Sequence, residues 1–221
     1  MEVSVSQENY LKTILKLERS EGIASNQAIA QNLDSTPAAV TGMLRKLCEE
    51  GLVEYEAYQG AKLTQVGEQH ALSTVRKHRL WEVFLVEKLN FRWDTVHQLA
   101  EELEHIGNED FVNRLAEFLG NPLFDPHGDP IPDAAGNIRE RVDVVFSSEA
   151  EAGTMFVVCG VSDSSDEFLR HLNRLGIELG SKYHAVERFE FDGSMEWSNN
   201  QGARILISSG VSEKILIQVH A

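Results

Sequence analysis

Hydrophobic residues recur with a helical period up to about residue 119, and they alternate with a period of two beyond about residue 140. The first amphipathic stretch, residues 6–20, predicts a helix with Ser6 as its N-cap. A short helix is predicted to begin at Asn26. The third helix has clear boundary residues: Thr36 as N-cap, Pro37 at the first helical position and Gly51 as the terminator.

Apolar and polar residues alternate around Gly60, which predicts a short hairpin after the third helix. This order of elements is that of a winged helix-turn-helix, whose second motif helix lies in the major groove of DNA. The alternative is a three-helix bundle and hairpin used for protein contact. The residues expected to face bases or phosphates are Ser35, Thr36, Pro37, Ala38, Ala39, Thr41, Gly42, Arg45, Lys46 and Lys62.

The rest of the chain divides at a proline-rich connector. A long helix is predicted over 67–88, with two more near 94–107 and 109–119. Four of the five prolines then fall in NPLFDPHGDPIPDAAGN. Beyond it, VDVVF, TMFVVCGV, ARILISS and KILIQV read as strands around one helix, DSSDEFLRHLNRLG, which predicts a small β-barrel. We therefore expect an α+β chain of three domains, at 1–74, 75–140 and 141–221.

Charge is distributed unevenly over these segments. The formal net charge is −15, which taken alone argues against a nucleic-acid partner. Residues 1–80, however, hold nine Lys and Arg against ten acids, and 81–140 hold four against thirteen. Residues 141–221 hold seven against twelve. The total therefore combines a nearly neutral DNA-reading segment with two acidic ones, of which 81–140 is expected to bind cations. No apolar run reaches the roughly 18 residues of a membrane span, and no signal peptide is seen, so we expect a cytoplasmic protein without a membrane partner.

Histidine and carboxylate residues are regularly spaced in the acidic segment. One pair is spaced i, i+4, and a second group is spaced i, i+4, i+7, i+8: His78 and Glu82, then His97, Glu101, Glu104 and His105. Such a mixed nitrogen and oxygen set suits Mn(II), Fe(II), Co(II) or Zn(II). The alternative is a solvated charged face. The two cysteines, Cys48 and Cys159, are far apart and indicate neither a disulfide framework nor a thiolate zinc site.

Several runs together resemble the diphtheria-toxin-repressor and manganese-transport-regulator family of metal-dependent repressors: QENYLKTI, STPAAVTGMLRKL, RKHRLWEVFL, TVHQLAEELEHI and DPHGDPIP. The resemblance covers essentially the whole chain. It implies an N-terminal winged helix-turn-helix, an all-helical dimerisation and metal-binding domain, and a C-terminal SH3-like barrel similar to the ferrous-transport accessory domain.

The resemblance also implies the metal ligands. The primary site would use Glu101, Glu104 and His105, with Asn9 from the first helix. The ancillary site has two versions, which remain open: His78, Glu82 and His97, or Asp125, His127 and Asp163, which Glu82 could join. Iron-type members have Cys and Met at positions 101 and 9, whereas manganese-type members have Glu and Asp. Glu101 therefore favours manganese, while Asn9 and Lys12 depart from the manganese pattern.

The sequence accordingly predicts a Mn(II)-responsive repressor that binds double-stranded palindromic operator DNA as a homodimer and controls metal-homeostasis genes. Fe(II) is the alternative cofactor, and Co(II), Zn(II) or Ni(II) would serve as substitutes in vitro. We expect no enzymatic activity and no small-molecule substrate, because no nucleophile elbow, phosphate loop or HExxH motif is present. The alternative from another class is a metal-trafficking or interaction protein that does not bind DNA.

Overall fold

The computed structural model describes residues 3–56, 59–139 and 141–219. The chain forms two compact units, which we call the first and the second unit. The first comprises Met1–Trp81, Glu101–Phe118 and Pro132–Ile138, and the second comprises Glu82–Ala100, Leu119–Ile131 and Arg139–Ala221. The division into domains at 1–74, 75–140 and 141–221 stays a prediction.

The helical part of the chain has six helices and one hairpin within the described residues. They are α1 (Val5–Glu21), α2 (Asn26–Asn32), α3 (Pro37–Glu49), β1 (Val53–Glu56), β2 (Gly60–Leu63), α4 (Gln65–Leu89), α5 (His97–Leu103) and α6 (Glu109–Phe118). The antiparallel strands β1 and β2 pair Val53 with Leu63, which confirms the hairpin around Gly60. None of the helices in the described ranges is long and apolar enough to cross a membrane.

The boundaries of α1 differ from the prediction. Ser6 is not the N-cap; Ser4 is, and it accepts a hydrogen bond from the backbone N–H of Gln7. The side chain of Gln7 in turn accepts from the backbone N–H of Ser4, at 3.0 Å. This reciprocal pair is a capping box, and it satisfies two backbone donors where a cap at Ser6 would satisfy one. The N-cap therefore lies two residues earlier than the apolar pattern indicates.

The boundaries of α3 are as predicted. Thr36 accepts a hydrogen bond from the backbone N–H of Ala39, and Pro37 is the first helical residue. Gly51 follows the helix at φ 73°, a left-handed conformation that glycine adopts without strain. Leu44 and Leu47 of this helix are buried in the core of the first unit, together with apolar residues of α1, α2 and the hairpin.

Close backbone packing fixes the start of α4. A Cβ atom on Gly67 would lie 1.9 Å from the carbonyl oxygen of Leu52, so no other residue fits without a backbone shift. The helix α5 is shorter than predicted, ending at Leu103 rather than near residue 107. At its other end the buried carboxylate of Asp94 pairs with Arg92 in a turn, so the helix does not begin there.

The second unit contains a six-stranded antiparallel sheet in the order β3-β8-β4-β5-β6-β7. Its elements are β3 (Val144–Phe146), β4 (Met155–Val161), α7 (Asp166–Leu175), β5 (Lys182–Arg188), β6 (Met195–Asn199), β7 (Arg204–Ile207), α8 (Ser209–Ser212) and β8 (Ile215–Val219). Phe156, Tyr183 and Trp197 form an aromatic cluster in its core, with ring centroids 5.0–6.1 Å apart. The strands β5 and β6 are absent from the sequence prediction.

Candidate metal centres

The first candidate centre lies in the first unit, where α1 meets the end of α5. The Oε1 of Glu104 lies 2.5 Å from the Nζ of Lys12, and the Oε1 of Glu101 lies 2.8 Å from the same nitrogen. The Oε2 of Glu104 lies 2.6 Å from the Nδ1 of His78. Because a carboxylate only accepts hydrogen bonds, both oxygens of the fully buried Glu104 are engaged by donors.

His105 faces the same carboxylate. Its Nε2 lies 3.9 Å from the Oε1 of Glu104, while its Nδ1 lies 2.6 Å from the Oε2 of Glu8. The Glu8 carboxylate accepts from Nδ1, so Nε2 is the nitrogen of this ring that is oriented for a cation. Glu8 also pairs with the ammonium of the buried Lys77, at 2.8 Å.

The donor set of this centre fits a divalent cation of the harder type. Glu101 and Glu104 supply carboxylate oxygens, and His105 supplies an imidazole nitrogen. The Oδ1 of Asn9 is buried and has no hydrogen-bond partner within the described part of the chain. A buried amide oxygen without a partner is costly unless a cation or water satisfies it. Neither cysteine contributes a soft ligand.

The second candidate centre lies in the second unit and consists of Glu82, Asp125 and His127. All three side chains are buried, at 5% exposure or less, and each offers a ligand atom within 4.8 Å of the others. The Nε2 of His127 lies 2.8 Å from the carbonyl oxygen of Trp93 and donates to it, while its Nδ1 lies 3.5 Å from Glu82. The carbonyl thus orients the ring so that Nδ1 faces the carboxylate.

Electrostatics in this centre favour positive charge. Burial alone would lower the pKa of His127, but the hydrogen bond and charge of Glu82, with the charge of Asp125 and the Trp93 carbonyl, raise the pKa to about 9. The Oδ1 of Asp125 accepts from the backbone N–H groups of His127 and Asp129. The intervening Gly128 has φ 91°, and a Cβ there would lie 2.3 Å from the carbonyl oxygen of Cys159. The DPHG segment is therefore held tightly against β4.

The remaining predicted ligands have other surroundings. His97 is exposed, and its Nδ1 lies 3.2 Å from the Oε1 of Glu82 in the second unit, whereas His78 belongs to the first unit. Asp163 pairs with Lys214, at 2.6 Å, and this ion pair together with hydrogen bonds from Ser165 lowers the pKa of Asp163 to about 2. Within the described residues, the group formed by Glu82, Asp125 and His127 does not include Asp163. Both versions of the ancillary site remain predictions.

Sequence reasoning missed Glu8 and Lys77 of the first centre, and it noted Lys12 only as a departure from the manganese-type pattern. Glu8 and Lys12 are spaced i, i+4 on α1, a signal that marks a shared helix face but no ligand role. The Trp93 carbonyl is a backbone group, so its contact with His127 could not be predicted from the residue types in the sequence.

The predicted DNA-reading residues lie mostly on the exposed side of α3. Ala38, Ala39, Gly42, Arg45 and Lys46 are exposed, and Ser35 and Thr41 are partly buried. The Thr41 hydroxyl donates to the carbonyl of Pro37 and accepts from Asn26. The surface at the start of α3 therefore presents small side chains, and Lys62 is exposed on β2.

Three protein-family models match successive parts of the chain. Residues 2–61 match the model of the iron-dependent repressor N-terminal DNA-binding domain, residues 64–133 the iron-dependent repressor metal-binding and dimerisation domain, and residues 148–219 the FeoA domain. These three matches confirm the predicted fold class, including the SH3-like C-terminal domain.

Relatives and solved structures agree with the domain matches. The iron-dependent repressor IdeR of Mycobacterium tuberculosis (strain ATCC 25618 / H37Rv) is 37% identical over 126 residues, which is 57% of this chain and 54% of that protein. The chain thus spans about half the length of the mycobacterial relatives. The diphtheria toxin repressor of Corynebacterium glutamicum is 33% identical over 95% of this chain and 90% of its own.

A solved structure described as a manganese-dependent transcriptional repressor in complex with manganese matches with a TM-score of 0.84. Its sequence is 33% identical, and the match covers 97% of this chain and all of that one. The chain belongs to the diphtheria toxin repressor family of metal-dependent transcriptional repressors.

Proposed function

We propose that the chain is a Mn(II)-responsive repressor that binds palindromic operator DNA as a homodimer and controls genes of metal-ion homeostasis. The observation that carries this proposal is that Glu101 and Glu104 both contact Lys12 of α1, while the Nε2 of His105 lies 3.9 Å from Glu104. Carboxylate and imidazole ligands without thiolate suit Mn(II) better than a soft metal. The solved structure with manganese supports the same choice.

In this proposal Glu101, Glu104, His105 and Asn9 hold the ion of the primary site. A bound divalent ion supplies positive charge and fixed bonds between α1 and the end of α5. Glu8 orients His105 through Nδ1, and His78 orients Glu104 through its second oxygen.

A contact at the start of α1 connects this site to the DNA-reading helix. The side-chain amide of the buried Gln7 donates to the carboxylate of Glu50. Glu50 is the residue at the C-cap position of α3. Gln7 directly precedes Glu8 on α1. The helix that carries Glu8 and Asn9 is therefore also tied to the end of α3, which supports coupling between metal and operator.

The ancillary site is proposed to use Glu82, Asp125 and His127. The burial of all three side chains supports this version over one that uses the exposed His97. A divalent ion bound there would replace the proton on Nδ1 of His127.

The experiment that tests the function is an anaerobic Mn(II) titration of the full chain in which operator retention and metal stoichiometry are measured together. The expected result is metal-dependent retention of a promoter fragment from the native genome. Coupling of about 1–3 kcal/mol between the ligands is typical, and it is reciprocal. Operator DNA should therefore tighten Mn(II) binding in calorimetry, and equal affinities with and without DNA would contradict the mechanism.

Two further candidates are tested by the same titration. The iron-dependent mycobacterial relatives favour Fe(II), in which case Fe(II) would give half-maximal DNA retention at a lower free concentration than Mn(II). A metal-trafficking protein would bind the metals but retain no DNA with any of them.

A further inference from the structure

We infer that Lys12 is a built-in competitor of the metal ion at the primary site: its ammonium occupies the two ligand oxygens and must leave them before a divalent ion binds. The inference rests on the proposed function, because it concerns the affinity of the same site. It assigns a role to a residue that is neither a ligand nor part of the DNA-reading surface.

Lys12 forms ion pairs with two of the proposed metal ligands. The Nζ of Lys12 lies 2.8 Å from Glu101 and 2.5 Å from Glu104, and in both cases the contact is to Oε1. The Lys12 side chain is 20% exposed and the Glu104 side chain is fully buried. The Lys12–Glu104 ion pair is thus poorly screened by water and salt, unlike surface ion pairs, which contribute little to stability.

His105 faces the same carboxylate oxygen that Lys12 contacts. Its Nε2 lies 3.9 Å from the same Oε1 of Glu104 that Lys12 contacts. The oxygen that the imidazole nitrogen faces is therefore already neutralised by an ammonium. A divalent ion on this oxygen would lie beside the ammonium, and repulsion between the two cations disfavours their binding together, so Lys12 and the metal compete for Glu104.

The net charge of the cluster favours displacement of the Lys12 ammonium by a divalent ion over binding of both cations together. Two ammonium groups face three carboxylates, which gives a net charge of −1 with neutral imidazoles: Lys12 and Lys77 against Glu8, Glu101 and Glu104. A divalent ion added with Lys12 retained would leave a net positive charge in a largely buried cluster. The flexible lysine stem lets the ammonium move to solvent, where it is strongly hydrated.

Two consequences follow for the site. Lys12 balances the carboxylates before metal binds, so that Glu101 and Glu104 stay close together without mutual repulsion. It also lowers the affinity for metal, because part of the binding free energy is used to break its ion pairs. Lys12 therefore sets the metal concentration at which the site fills.

The test compares Mn(II) affinity of the full chain and of Lys12→Gln by calorimetry. The variant is expected to bind Mn(II) roughly tenfold more tightly, since breaking a buried ion pair no longer opposes binding. Lys16→Gln is the matched control, because it removes the same charge from an exposed position one turn further along α1. Unchanged or weaker Mn(II) affinity in Lys12→Gln would overturn the inference, as would an equal increase in Lys16→Gln.

A second measurement does not depend on the variant folding. Amine acylation of the wild-type chain is followed at each lysine by mass spectrometry, after chelation and after addition of Mn(II). Lys12 is expected to react several times faster with Mn(II), while Lys16 stays constant; equal or slower labelling of Lys12 would overturn the inference. A wild-type chain that binds neither Mn(II) nor Fe(II) would instead overturn the proposed function itself.

Discussion

The Oε2 of Glu8 lies 2.6 Å from the Nδ1 of His105, although 97 positions separate the two residues in the chain. The contact joins the first turn of α1 to the segment after α5. It also determines which imidazole nitrogen faces Glu104. Orientation of a ligating histidine by a carboxylate is a common property of metal sites, and its loss typically weakens binding 10- to 100-fold.

Glu8→Gln is therefore expected to weaken Mn(II) binding about tenfold, at the lower end of that range, because glutamine keeps an acceptor oxygen but loses the charge. Calorimetry of the full chain measures the change. Glu21→Gln, which removes an exposed carboxylate from the same helix, is the control and should bind as the wild type does. Equal affinities for Glu8→Gln and the wild type would show that His105 needs no such partner.

Asp125→Asn tests the ancillary site with little risk to the fold. Asparagine keeps the Oδ1 acceptor for the N–H groups of His127 and Asp129, but it removes a charged ligand. We expect the number of Mn(II) ions bound per chain to fall from two to one in equilibrium dialysis. Asp133→Asn is a matched control, since Asp133 accepts from two backbone N–H groups in the same way without a proposed ligand role.

Asp163→Asn separates the two versions of that site further. Its carboxylate is held by Lys214, so we expect the variant to bind as many ions as the wild type does. A loss of one ion in Asp163→Asn would assign it to the ancillary set.

Glu101→Cys is expected to move the response from Mn(II) toward Fe(II), because a thiolate is a softer ligand than a carboxylate. The measurement is operator retention as a function of free Mn(II) or Fe(II) under anaerobic conditions. An unchanged ratio of the two half-maximal concentrations would contradict the role of residue 101 in selectivity.

Arg45→Ala is expected to weaken operator and non-specific DNA binding by similar factors and to reduce the slope of log affinity against log salt by about 1, as for the loss of one phosphate contact. Fluorescence anisotropy at several salt concentrations measures both. Arg19→Ala removes an equal charge from α1 and should leave the slope unchanged. A loss confined to the operator would indicate base contact instead.

Thr36→Ala is expected to lower the free energy of unfolding by about 1 kcal/mol, since the backbone N–H of Ala39 loses its capping acceptor. Thr36→Ser keeps that acceptor and should unfold at nearly the wild-type denaturant concentration. A full loss in the serine variant would mean that the methyl group, rather than the cap, stabilises the start of α3.

Features encoded by neighbouring residues could be predicted from the sequence. Thr36, Pro37 and Gly51 determine the ends of α3 through local hydrogen bonds and backbone preferences, so its bounds were predicted correctly. The strands β5 and β6 were missed because their register shifts between Ala185 and Glu187. A bulge interrupts the alternation with a period of two on which strand prediction depends.

In the candidate centres, too, only features encoded by neighbouring residues could be predicted from the sequence. Spacing in the sequence indicates Glu101 and Glu104 as a pair, because residues three apart share a face of the predicted helix, although α5 itself ends at Leu103. The contacts of Lys12 with these carboxylates and of Glu82 with His127 join residues 45 to 92 positions apart. They depend on tertiary packing, which no local pattern encodes.

The contacts of α1 have an evolutionary consequence. Gln7 reaches toward the end of α3, while Glu8 and Lys12 leave the same helix toward α5. In the proposed primary site, codon changes at positions 8, 9 and 12 would therefore alter which ion is bound, and at what abundance, without changing the DNA-facing residues of α3. A lineage that moves to a habitat with a different metal supply can adapt its regulator within two helical turns and keep its existing promoters.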